Sequence, residues 1–510
     1  MKLEQLLHAT QFQTVVGSTT KEITGLTCDS RQVAAGMVFF ALPGLLVDGF
    51  AYLSQAIAAG AQVIIAEQLP AKYETDVCYV QVDNVRLAMA QLAARYYGDP
   101  TVKPLVIGIT GTNGKTTISY LLETIFKQAG YSPAVFGTIE YRFDQNRYDA
   151  SHTTPESIDL LRMMAEFCKL GADVLILEVS SHALEQHRVD GIHFNAAVFT
   201  NLTQDHLDYH QTLERYFESK RRLFTELLND GVAIINSDDS WGNKLTATVE
   251  TAVTFGQNGN SQVYPQPITV GRDGIAGTFV SPQGNVAIES EMIGSFNVSN
   301  LMAAVTTAQQ FGIANETIAT AIATAPQVPG RVEKIANNQD ALVLVDYAHT
   351  PDALEQVLKT VTQLNGKRIL TVVGCGGDRD KTKRPLMAAV AVKYSNLTIF
   401  TSDNPRTEDP IEILKQVKAG AVNQGSSEFK IESTAPDDGF TVVTDRREAL
   451  ELAVGLLQCG DILVVAGKGH ENYQIIGTEK IHFDDREELQ RLFHGDAVVI
   501  PTEFGVVASV

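Results

Sequence analysis

A glycine-rich turn between a buried strand and a helix restricts the fold of this 510-residue chain more than any other feature of its sequence. In LVIGITGTNGKTT, residues 105–117, an apolar run predicts the strand, and the Lys-Thr-Thr after the turn opens a helix that continues to Gly130. Backbone N–H groups of such a turn, with the helix N-terminus, form a concave anion site. Lys115 adds a positive charge for the outer phosphates and Thr116 offers a hydroxyl to Mg²⁺. We therefore predict a nucleoside triphosphate site here, rather than a glycine turn without a ligand.

Short apolar runs alternate with helical stretches along most of the chain, which is typical of parallel α/β layers. Strands are predicted at 38–42, 63–66, 105–109, 174–177, 196–199, 233–235, 342–345, 369–373, 397–400 and 462–465. Turn-forming stretches at 97–100 and 325–330 indicate boundaries, and a single core rarely grows beyond about 250 to 300 residues. We predict three α/β domains, 1–98, 99–330 and 331–510, with a small β excursion at 256–285 inside the middle domain.

Composition and charge exclude several classes of protein. A formal net charge of −20 argues against a nucleic-acid partner, since such proteins neutralise phosphates with clustered Lys and Arg. Five cysteines without CxxC spacing disfavour a disulfide framework or a structural zinc site. The N-terminus lacks the apolar core of a signal peptide, and no run approaches the roughly 20 apolar residues that cross a bilayer. We expect a cytoplasmic monomer that contacts neither nucleic acid nor membrane.

Acidic and histidine side chains follow two further strands of the middle domain. Glu178 ends the strand at 174–177, and Asp205 and His206 follow the strand at 196–199, which we expect to lie beside it. Ligands of α/β proteins gather at the carboxyl ends of parallel strands, and a carboxylate there can hold a metal. We predict a functional role for these residues, rather than a solvated turn.

Lys220 stands on the apolar face of a predicted helix that also carries Tyr216 and Phe217. One interpretation is a lysine whose stem is buried and whose ammonium group reaches water. The other is a partly buried amine with a lowered pKa, which can react with CO₂ to give a carbamate that is an oxygen ligand for Mg²⁺. Helix geometry alone leaves both open.

The chain resembles the Mur ligases over nearly its whole length. A strict P-loop would have glycine at Ile109, whereas the spacing here is similar to the GxxGTNGKTT loop of Mur ligases and of the related folylpolyglutamate synthetases. The other matching motifs, in chain order, are HTTP at 152–155, LEVSSHAL at 177–184, NLTQDHLDYH at 201–210, GSFNVSN at 294–300, Gly330-Arg331 and DYAHTP at 346–351. The match is weakest before Gly25 and between 256 and 291.

The resemblance implies a central P-loop-type, mostly parallel sheet, a UDP-binding N-terminal domain and a Rossmann-like C-terminal domain. It also implies an ATP-dependent ligase that adds an amino acid to UDP-N-acetylmuramoyl-L-Ala-D-Glu through an acyl phosphate in the synthesis of peptidoglycan precursors. The catalytic residues implied are Lys115, Glu178, His206, Lys220 and Arg331. The ATP ligands implied are Gly111, Thr112, Asn113, Gly114, Lys115, Thr116, Thr117, Asn297, Asn300, Arg331 and Asp346. The Mg²⁺ ligands implied are Thr116, Glu178, His206 and Lys220 as its CO₂-derived carbamate. The nucleotide-sugar ligands implied are Ser30, Thr153, Thr154, Ser180, Gln186 and Arg188.

Three loops of the last domain should form the amino-acid pocket. GCGGDRD at 374–380, DNPR at 403–406 and AGKGHE at 466–471 each follow a predicted strand, so we expect them at one rim of the sheet. The residues predicted to contact the amino acid are Arg379, Asp403, Asn404, Pro405, Arg406, Gly467 and Glu471. A guanidinium can clasp a carboxylate with two hydrogen bonds, and meso-diaminopimelate has a distal carboxylate that L-lysine lacks. Because DNPR is similar to the loop of the diaminopimelate-adding members, Arg406 favours meso-diaminopimelate over L-lysine.

Two other functions are compatible with part of these motifs. A folylpolyglutamate synthetase would share the phosphate loop and the modified lysine, but should lack the DNPR loop and a UDP-binding first domain. A non-catalytic, ATP-binding regulatory protein would bind ATP without releasing phosphate.

Overall fold

The computed structural model describes residues 1–44, 48–429 and 437–495. Its first unit contains α1 (Leu3–Leu7), β1 (Thr14–Val16), β2 (Gly25–Thr27), β3 (Met37–Phe40), a 3₁₀ turn (Gly49–Tyr52), α2 (Leu53–Ala58), β4 (Val63–Ala66), β5 (Cys78–Gln81) and α3 (Val85–Tyr96). The strands form a sheet in the order β1-β5-β4-β3-β2, parallel except for β1. Asn84 caps α3 by accepting a hydrogen bond from the Leu87 N–H, which fixes where this helix begins.

The central unit is built on an eight-stranded sheet. Its elements are β6 (Leu105–Thr110), α4 (Lys115–Gln128), β7 (Pro133–Phe136), β8 (Glu140–Phe143), β9 (Asn146–Asp149), α5 (Ser157–Leu170), β10 (Val174–Glu178), α6 (Ser181–Glu185), β11 (Ala196–Phe199), α7 (Leu207–His210), α8 (Leu213–Arg222), a π-helical turn (Leu223–Leu227), β12 (Val232–Asn236), α9 (Ser240–Thr246) and β13 (Ala252–Phe255). The order is β13-β12-β11-β6-β10-β7-β8-β9, parallel from β13 to β7 and antiparallel beyond.

The strand that precedes the phosphate loop lies between the two strands that carry the acidic and histidine residues. β6 pairs with β10 on one side and with β11 on the other. The expectation that β11 adjoins β10 is therefore wrong: the crossover after β10 passes β6 and returns on its far side. The consequence is that Glu178 and His206 approach the phosphate loop from opposite sides.

A small sheet and two helices complete the central unit. They are β14 (Tyr264–Val270), β15 (Ile275–Val280), β16 (Val286–Ser290), α10 (Ser295–Gln310) and α11 (Asn315–Ala323). The three strands are antiparallel, which confirms the predicted β excursion. α10 packs against α4, so that Asn300 reaches the helix that begins at the phosphate loop.

The last unit contains a six-stranded sheet. Its elements are β17 (Glu333–Ile335), β18 (Leu342–Asp346), α12 (Pro351–Thr362), β19 (Ile369–Cys375), α13 (Lys383–Tyr394), β20 (Leu397–Ser402), α14 (Pro410–Asn423), β21 (Gly439–Val442), α15 (Arg446–Leu456), β22 (Ile462–Ala466), β23 (Tyr473–Ile476), β24 (Glu479–His482) and α16 (Asp485–His494). The order is β17-β18-β22-β19-β20-β21, parallel except for β17, with β23 and β24 as a separate hairpin. β22, β19 and β20 are neighbours, which confirms that their three following loops share one rim.

The apolar runs of the central strands are buried on both faces of the sheet, as parallel strands require. In β6, Val106 packs into a core on one face with α5, whereas Ile107 and Ile109 pack into the core on the other face with α4 and α10. The first of these cores extends into α3. The N-terminal unit is thus held to the central unit by continuous apolar packing, and the predicted boundary at 98 falls in the short link between α3 and β6.

A buried ion pair ties the rim loops of the last unit together. The Arg446 guanidinium donates to both carboxylate oxygens of Asp485 at 2.7 Å, and both side chains are fully buried. It also donates to the carbonyl oxygens of Ser402 and Ala466, the last residues of β20 and β22. These contacts fix the ends of the strands from which the two rim loops depart.

Replacing Arg446 with Met should lower the free energy of unfolding by about 3 to 5 kcal/mol, because Asp485 is left as an unpaired buried charge. Denaturant unfolding measures the change. The double variant Arg446→Met with Asp485→Leu should recover part of the loss, since it removes that charge. Equal midpoints for the single and double variants would show that the unpaired charge of Asp485 is not the cause of the loss.

Candidate active site

A cleft of about 460 Å³ lies between the central sheet and the first helix of the last unit. The phosphate loop, Glu178 and His206 line it from the central unit, while Arg331 and Asp346 line it from the chain that enters the last unit. The resemblance implies that the loop, Arg331 and Asp346 contact ATP and that Glu178 and His206 hold Mg²⁺, and the structure brings these residues together around one cleft.

Two glycines allow the phosphate loop its tight turn. Gly111 and Gly114 have φ of +145° and +90°, which side-chain-bearing residues rarely adopt. A Cβ at Gly111 would stand 1.9 Å from Thr200 Oγ1, and one at Gly114 would stand 2.4 Å from Asn300 Oδ1. Both positions therefore require glycine for space as well as for backbone conformation.

The carbonyl oxygen of Gly111 accepts hydrogen bonds from two lysines. Lys115 Nζ donates to it at 2.8 Å and Lys220 Nζ at 3.0 Å. Lys115 also donates to the Thr112 carbonyl oxygen at 2.9 Å. Two amines thus converge on the turn where the phosphates of a nucleotide would lie.

Lys220 is buried, which settles the choice that helix geometry left open. Its exposed fraction is 1%, and the interpretation with an ammonium group in water is wrong. Its Nζ lies 4.5 Å from the centre of the Tyr216 ring. Burial, and secondarily the charge of Lys115, lower the pKa of Lys220 well below its ordinary value. Loss of hydration disfavours the charged form, so the neutral and nucleophilic amine is favoured here.

Glu178 collects hydroxyl groups at the carboxyl end of β10. Its Oε2 accepts from Thr116 Oγ1 at 3.0 Å and from Thr138 Oγ1 at 2.8 Å, and its Oε1 accepts from the Thr138 N–H at 3.1 Å. Carboxylate and hydroxyl oxygens are ligands that suit Mg²⁺. Among the described residues, no group of three His, Cys, Asp or Glu side chains is placed to hold a metal ion. A metal ion at this position would therefore need oxygen ligands in addition to the carboxylates of the unmodified side chains.

His206 approaches from the opposite side of β6. It has a left-handed backbone, with φ of +53°, and its Nε2 lies 3.4 Å from Asp205 Oδ2. Its ring packs edge-on against the Tyr216 ring, with 6.1 Å between the centres. The Tyr216 ring also lies beside Lys220 Nζ, and its hydroxyl lies 3.3 Å from Thr112 Oγ1. One aromatic side chain therefore spaces the histidine, the buried lysine and the phosphate loop.

The chain entering the last unit closes the cleft. Arg331 Nη2 donates to Thr116 Oγ1 at 3.3 Å, and its guanidinium lies 4.7 Å above the Tyr347 ring. Asp346 accepts from the Val332 and Ala348 N–H groups, each at 2.8 Å. Burial raises the pKa of Asp346, and the Arg331 charge partly offsets that rise.

The two predicted asparagines of α10 occupy different layers. Asn300 lines the cleft, whereas Asn297 lies behind it and accepts a hydrogen bond from Asn300 Nδ2 at 2.8 Å. Asn297 in turn donates to the Ile293 carbonyl oxygen. Its position is that of a support for Asn300.

The residues predicted to hold the muramoyl dipeptide form a connected group beside Glu178. Thr153 lines the cleft, and its Oγ1 lies 3.1 Å from Thr138 Oγ1. Thr154 is buried and donates to the Glu178 carbonyl oxygen at 2.7 Å. Ser180 N–H donates to Thr154 Oγ1 at 3.1 Å.

Arg188 joins the rest of this group. It donates to the Thr154 carbonyl oxygen at 2.9 Å and to Gln186 Oε1 at 2.8 Å. It also pairs with Glu156, which lies 2.9 Å away. Four of these predicted residues are therefore linked in one network.

Ser30 lies in a separate cavity of about 570 Å³ in the first unit. Asp29, Arg31, Tyr52 and Arg86 also line it. Ser30 Oγ donates to Gln55 Oε1 at 3.3 Å. The predicted uridine and peptide sites thus stand in different units of the chain.

Two of the rim loops, 403–406 and 466–471, meet at a buried lysine. Lys468 is fully buried and lies 3.6 Å from Asp403 Oδ1 and 3.4 Å from Glu471 Oε2. Asn404 Nδ2 donates to Glu471 Oε2 at 2.9 Å. Burial, and secondarily the Asp403 charge, raise the pKa of Glu471.

The predicted arginines of this rim differ in how they are held. Arg406 has a left-handed backbone, with φ of +51°, and its Nη1 donates to the Gly377 carbonyl oxygen at 2.8 Å. Arg379 is exposed and donates to the Asp378 carbonyl oxygen. Pro405 and Gly467 lie in the same loops.

Tyr347 joins this rim to the ATP cleft. It lines the cleft beside Arg331, and its ring packs against the His470 ring, with 4.9 Å between the centres. A Cβ at Gly469 would stand 2.6 Å from Tyr347 Cβ, so this glycine permits the close approach.

Comparison with known proteins agrees with this architecture. Three family models match in order: "Mur ligase family, catalytic domain" at 22–97, "Mur ligase middle domain" at 109–308 and "Mur ligase, glutamate ligase domain" at 330–469. A relative from Geobacter sulfurreducens, named UDP-N-acetylmuramoyl-L-alanyl-D-glutamate--2,6-diaminopimelate ligase, is 48% identical over 97% of this chain and 99% of its own length. The chain belongs to the Mur ligase family.

Two solved structures are also similar to this Mur ligase. One titled as the 2,6-diaminopimelate ligase matches at 35% identity with a TM-score of 0.68, covering 97% of this chain and 98% of its own. Folylpolyglutamate synthase from Mycobacterium tuberculosis matches with a TM-score of 0.59, covering 74% of this chain and 91% of its own. At 15% identity the second match shows the fold alone.

Three residues of this Mur ligase lie among the predicted site residues but were not themselves predicted. They are Thr138, Tyr347 and Lys468. Each follows a parallel strand, so the rule that ligands gather at the carboxyl ends of strands could have found them. No helix in the described ranges, 1–44, 48–429 and 437–495, is long and apolar enough to cross a membrane.

Proposed function

We propose that this enzyme joins meso-diaminopimelate to UDP-N-acetylmuramoyl-L-Ala-D-Glu and converts ATP to ADP and phosphate. The reaction serves the cytoplasmic synthesis of peptidoglycan precursors, and the enzyme acts as a monomer. Residues 1–98 bind the uridine end, 99–330 carry out phosphoryl transfer and 331–510 supply the amino acid. The relatives named as 2,6-diaminopimelate ligases support this substrate pair.

One observation carries the proposal: the last unit contributes to both ends of the reaction. Arg331 reaches the phosphate loop at Thr116, and the rim loops with Arg406 and Glu471 meet the same cleft through Tyr347 and His470. An enzyme that activates an acid with ATP and then admits an amine needs these two sites side by side.

The first step activates the substrate carboxylate. A carboxylate oxygen forms a bond to the γ-phosphorus of ATP, the bond to the β,γ-bridging oxygen breaks, and ADP leaves. Lys115 and Arg331 place positive charge beside the transferring group, where charge spreads over its oxygens. Thr153 and Arg188 hold the muramoyl dipeptide with its acid group directed toward Glu178.

The oxygen donors at the phosphate loop fit Mg²⁺. Thr116 and Glu178 share a hydrogen bond, and with His206 and the carbamate of Lys220 they would hold the metal. Mg²⁺ bound there neutralises negative charge on the phosphate oxygens.

The second step forms the amide. The ammonium group of diaminopimelate first releases a proton to solvent, and the neutral amine nitrogen attacks the carbonyl carbon of the acyl phosphate. The carbon–oxygen bond to phosphate then breaks, and inorganic phosphate leaves with that electron pair and takes up the second proton that the nitrogen loses. Arg406 and Arg379 receive the carboxylates of the incoming amino acid, while Asp403 and Glu471 receive its distal ammonium group. L-lysine would fill the same pocket without satisfying Arg406.

Activity with defined substrates tests the proposal. The enzyme receives UDP-N-acetylmuramoyl-L-Ala-D-Glu, ATP and Mg²⁺, and phosphate release is compared for meso-diaminopimelate, L-lysine and no amino acid. We expect rapid release and a tripeptide product with diaminopimelate. If ATP stays intact in every mixture, the chain is a nucleotide-binding protein without turnover. Faster turnover with L-lysine would reverse the assignment of the amino acid.

Replacing Arg406 with Ala should raise the KM for diaminopimelate by about tenfold to a hundredfold, because a charge-assisted hydrogen-bonded pair is lost. The KM for ATP should stay unchanged. Residual use of L-lysine should also stay unchanged, since lysine lacks the distal carboxylate. Arg491→Ala is the matched control, because this arginine of α16 pairs with Glu451 and Glu488 rather than with a rim loop. Equal losses with diaminopimelate and lysine would show that Arg406 acts by holding its own loop.

Lys220 should carry a carbamate. Protein equilibrated with ¹³C-bicarbonate should show a carbamate carbon in its NMR spectrum, because burial favours the neutral amine that reacts with CO₂. The signal should vanish in Lys220→Arg and persist in Lys244→Arg, whose lysine lies over the Trp241 ring away from the cleft. An active wild-type enzyme without the signal would refute the modification.

A further inference from the structure

Arg86 stands between the two places where the nucleotide-sugar substrate is proposed to bind. It lies on α3 of the first unit and lines the cavity that contains Ser30. Its Nη1 lies 3.6 Å from Glu156 Oε2, and Glu156 also pairs with Arg188 at 2.9 Å. Glu156 follows Thr154 by two residues. Arg86 therefore connects the uridine cavity to the network that holds the muramoyl dipeptide.

The guanidinium of Arg86 lacks hydrogen bonds to the described residues. Its Nη1 is buried without a hydrogen-bond partner among residues 1–44, 48–429 and 437–495, and so is Glu156 Oε2. The ion pair at 3.6 Å is too long to be a hydrogen bond. Only 23% of the side chain is exposed, so its charge is poorly compensated by water. A guanidinium in this state is suited to an anionic ligand with several oxygens.

Arg31, the other arginine that lines the cavity, already has hydrogen-bond partners and is mostly exposed. Its Nε and Nη2 donate to Asp29 at 2.9 and 2.7 Å, so a carboxylate already occupies its fork. Its side chain is 82% exposed, where solvent weakens any contact with a ligand.

We propose that Arg86 binds the diphosphate of the UDP-sugar substrate. The inference rests on the proposed function, since that substrate has one diphosphate, located between uridine and the muramoyl peptide. With uridine beside Ser30 and the peptide beside Arg188, the diphosphate passes Arg86. The guanidinium donates to its oxygens, and Glu156 holds the side chain in position from behind.

Binding of UDP and of uridine separates the contribution of the diphosphate. Both ligands are titrated by calorimetry into the full-length enzyme, with the ATP cleft filled by a non-hydrolysable ATP analogue. The wild type should bind UDP more tightly than uridine. In Arg86→Gln that ratio of affinities should fall by about tenfold or more, while uridine affinity is unchanged. Arg86→Lys should restore part of the ratio, because it keeps the charge without the fork.

Control variants and turnover make the outcome decisive. Arg31→Gln should leave the UDP-to-uridine ratio of affinities near the wild-type value, and the KM values for ATP and diaminopimelate should not change in Arg86→Gln.

If Arg86→Gln lowers UDP and uridine affinity equally, the residue only supports the fold of the cavity and the proposal is overturned. An unchanged ratio in Arg86→Gln, in an enzyme that turns over the full substrate, overturns the diphosphate contact and leaves the proposed function standing. A wild type without turnover would instead count against the proposed function.

Discussion

The hydrogen bonds that Lys115 and Lys220 donate to the Gly111 carbonyl oxygen connect most of this active site. Lys115 belongs to the helix that follows the turn, whereas Lys220 arrives 109 residues after Gly111 on a different helix. Two amines around one neutral oxygen repel each other, and burial adds to the cost of charging them. Burial lowers the pKa of both amines, so the phosphates of ATP would stabilise the charged form of Lys115 at this poorly hydrated position.

The order of strands places the chemistry on both sides of that position. Because β6 lies between β10 and β11, Glu178 and Thr138 stand on one side of the phosphate loop and His206 stands on the other. The last unit then covers the front of the loop with Arg331. Preorganised charges around a site shielded from water act more strongly than the same charges in solution. A chain with a net charge of −20 thus binds anionic substrates by local concentration of its cations.

In the last unit, too, single side chains connect the rim loops to the ATP cleft and to each other. The Tyr347 ring contacts both the Arg331 guanidinium and the His470 ring, so one side chain links the rim loop at 466–471 to Arg331 beside the phosphate loop. The Arg446 guanidinium links the ends of β20 and β22 by donating to the carbonyl oxygens of their last residues. Lys468 compensates Asp403 and Glu471, two carboxylates that would otherwise repel each other in a buried pocket.

The class of fold, the strands around the site and nearly all of the residues that meet there could be predicted from the amino-acid sequence. The local signals were strong: glycines before Lys-Thr-Thr, and polar residues directly after apolar strands. Strand order was beyond its reach, because pairing of β6 with β10 and β11 is a long-range choice that no local pattern encodes. The sequence also left open whether the Lys220 amine reaches water or is buried, since the apolar face of a helix does not show which residues pack against it. Other contacts depend on how the chain folds in three dimensions: Lys220 shares an oxygen with Lys115, Asn297 stands behind Asn300, Lys468 lies between Asp403 and Glu471, and Arg86 lines the cavity that contains Ser30. None could be predicted from a local pattern, because each depends on which elements pack together.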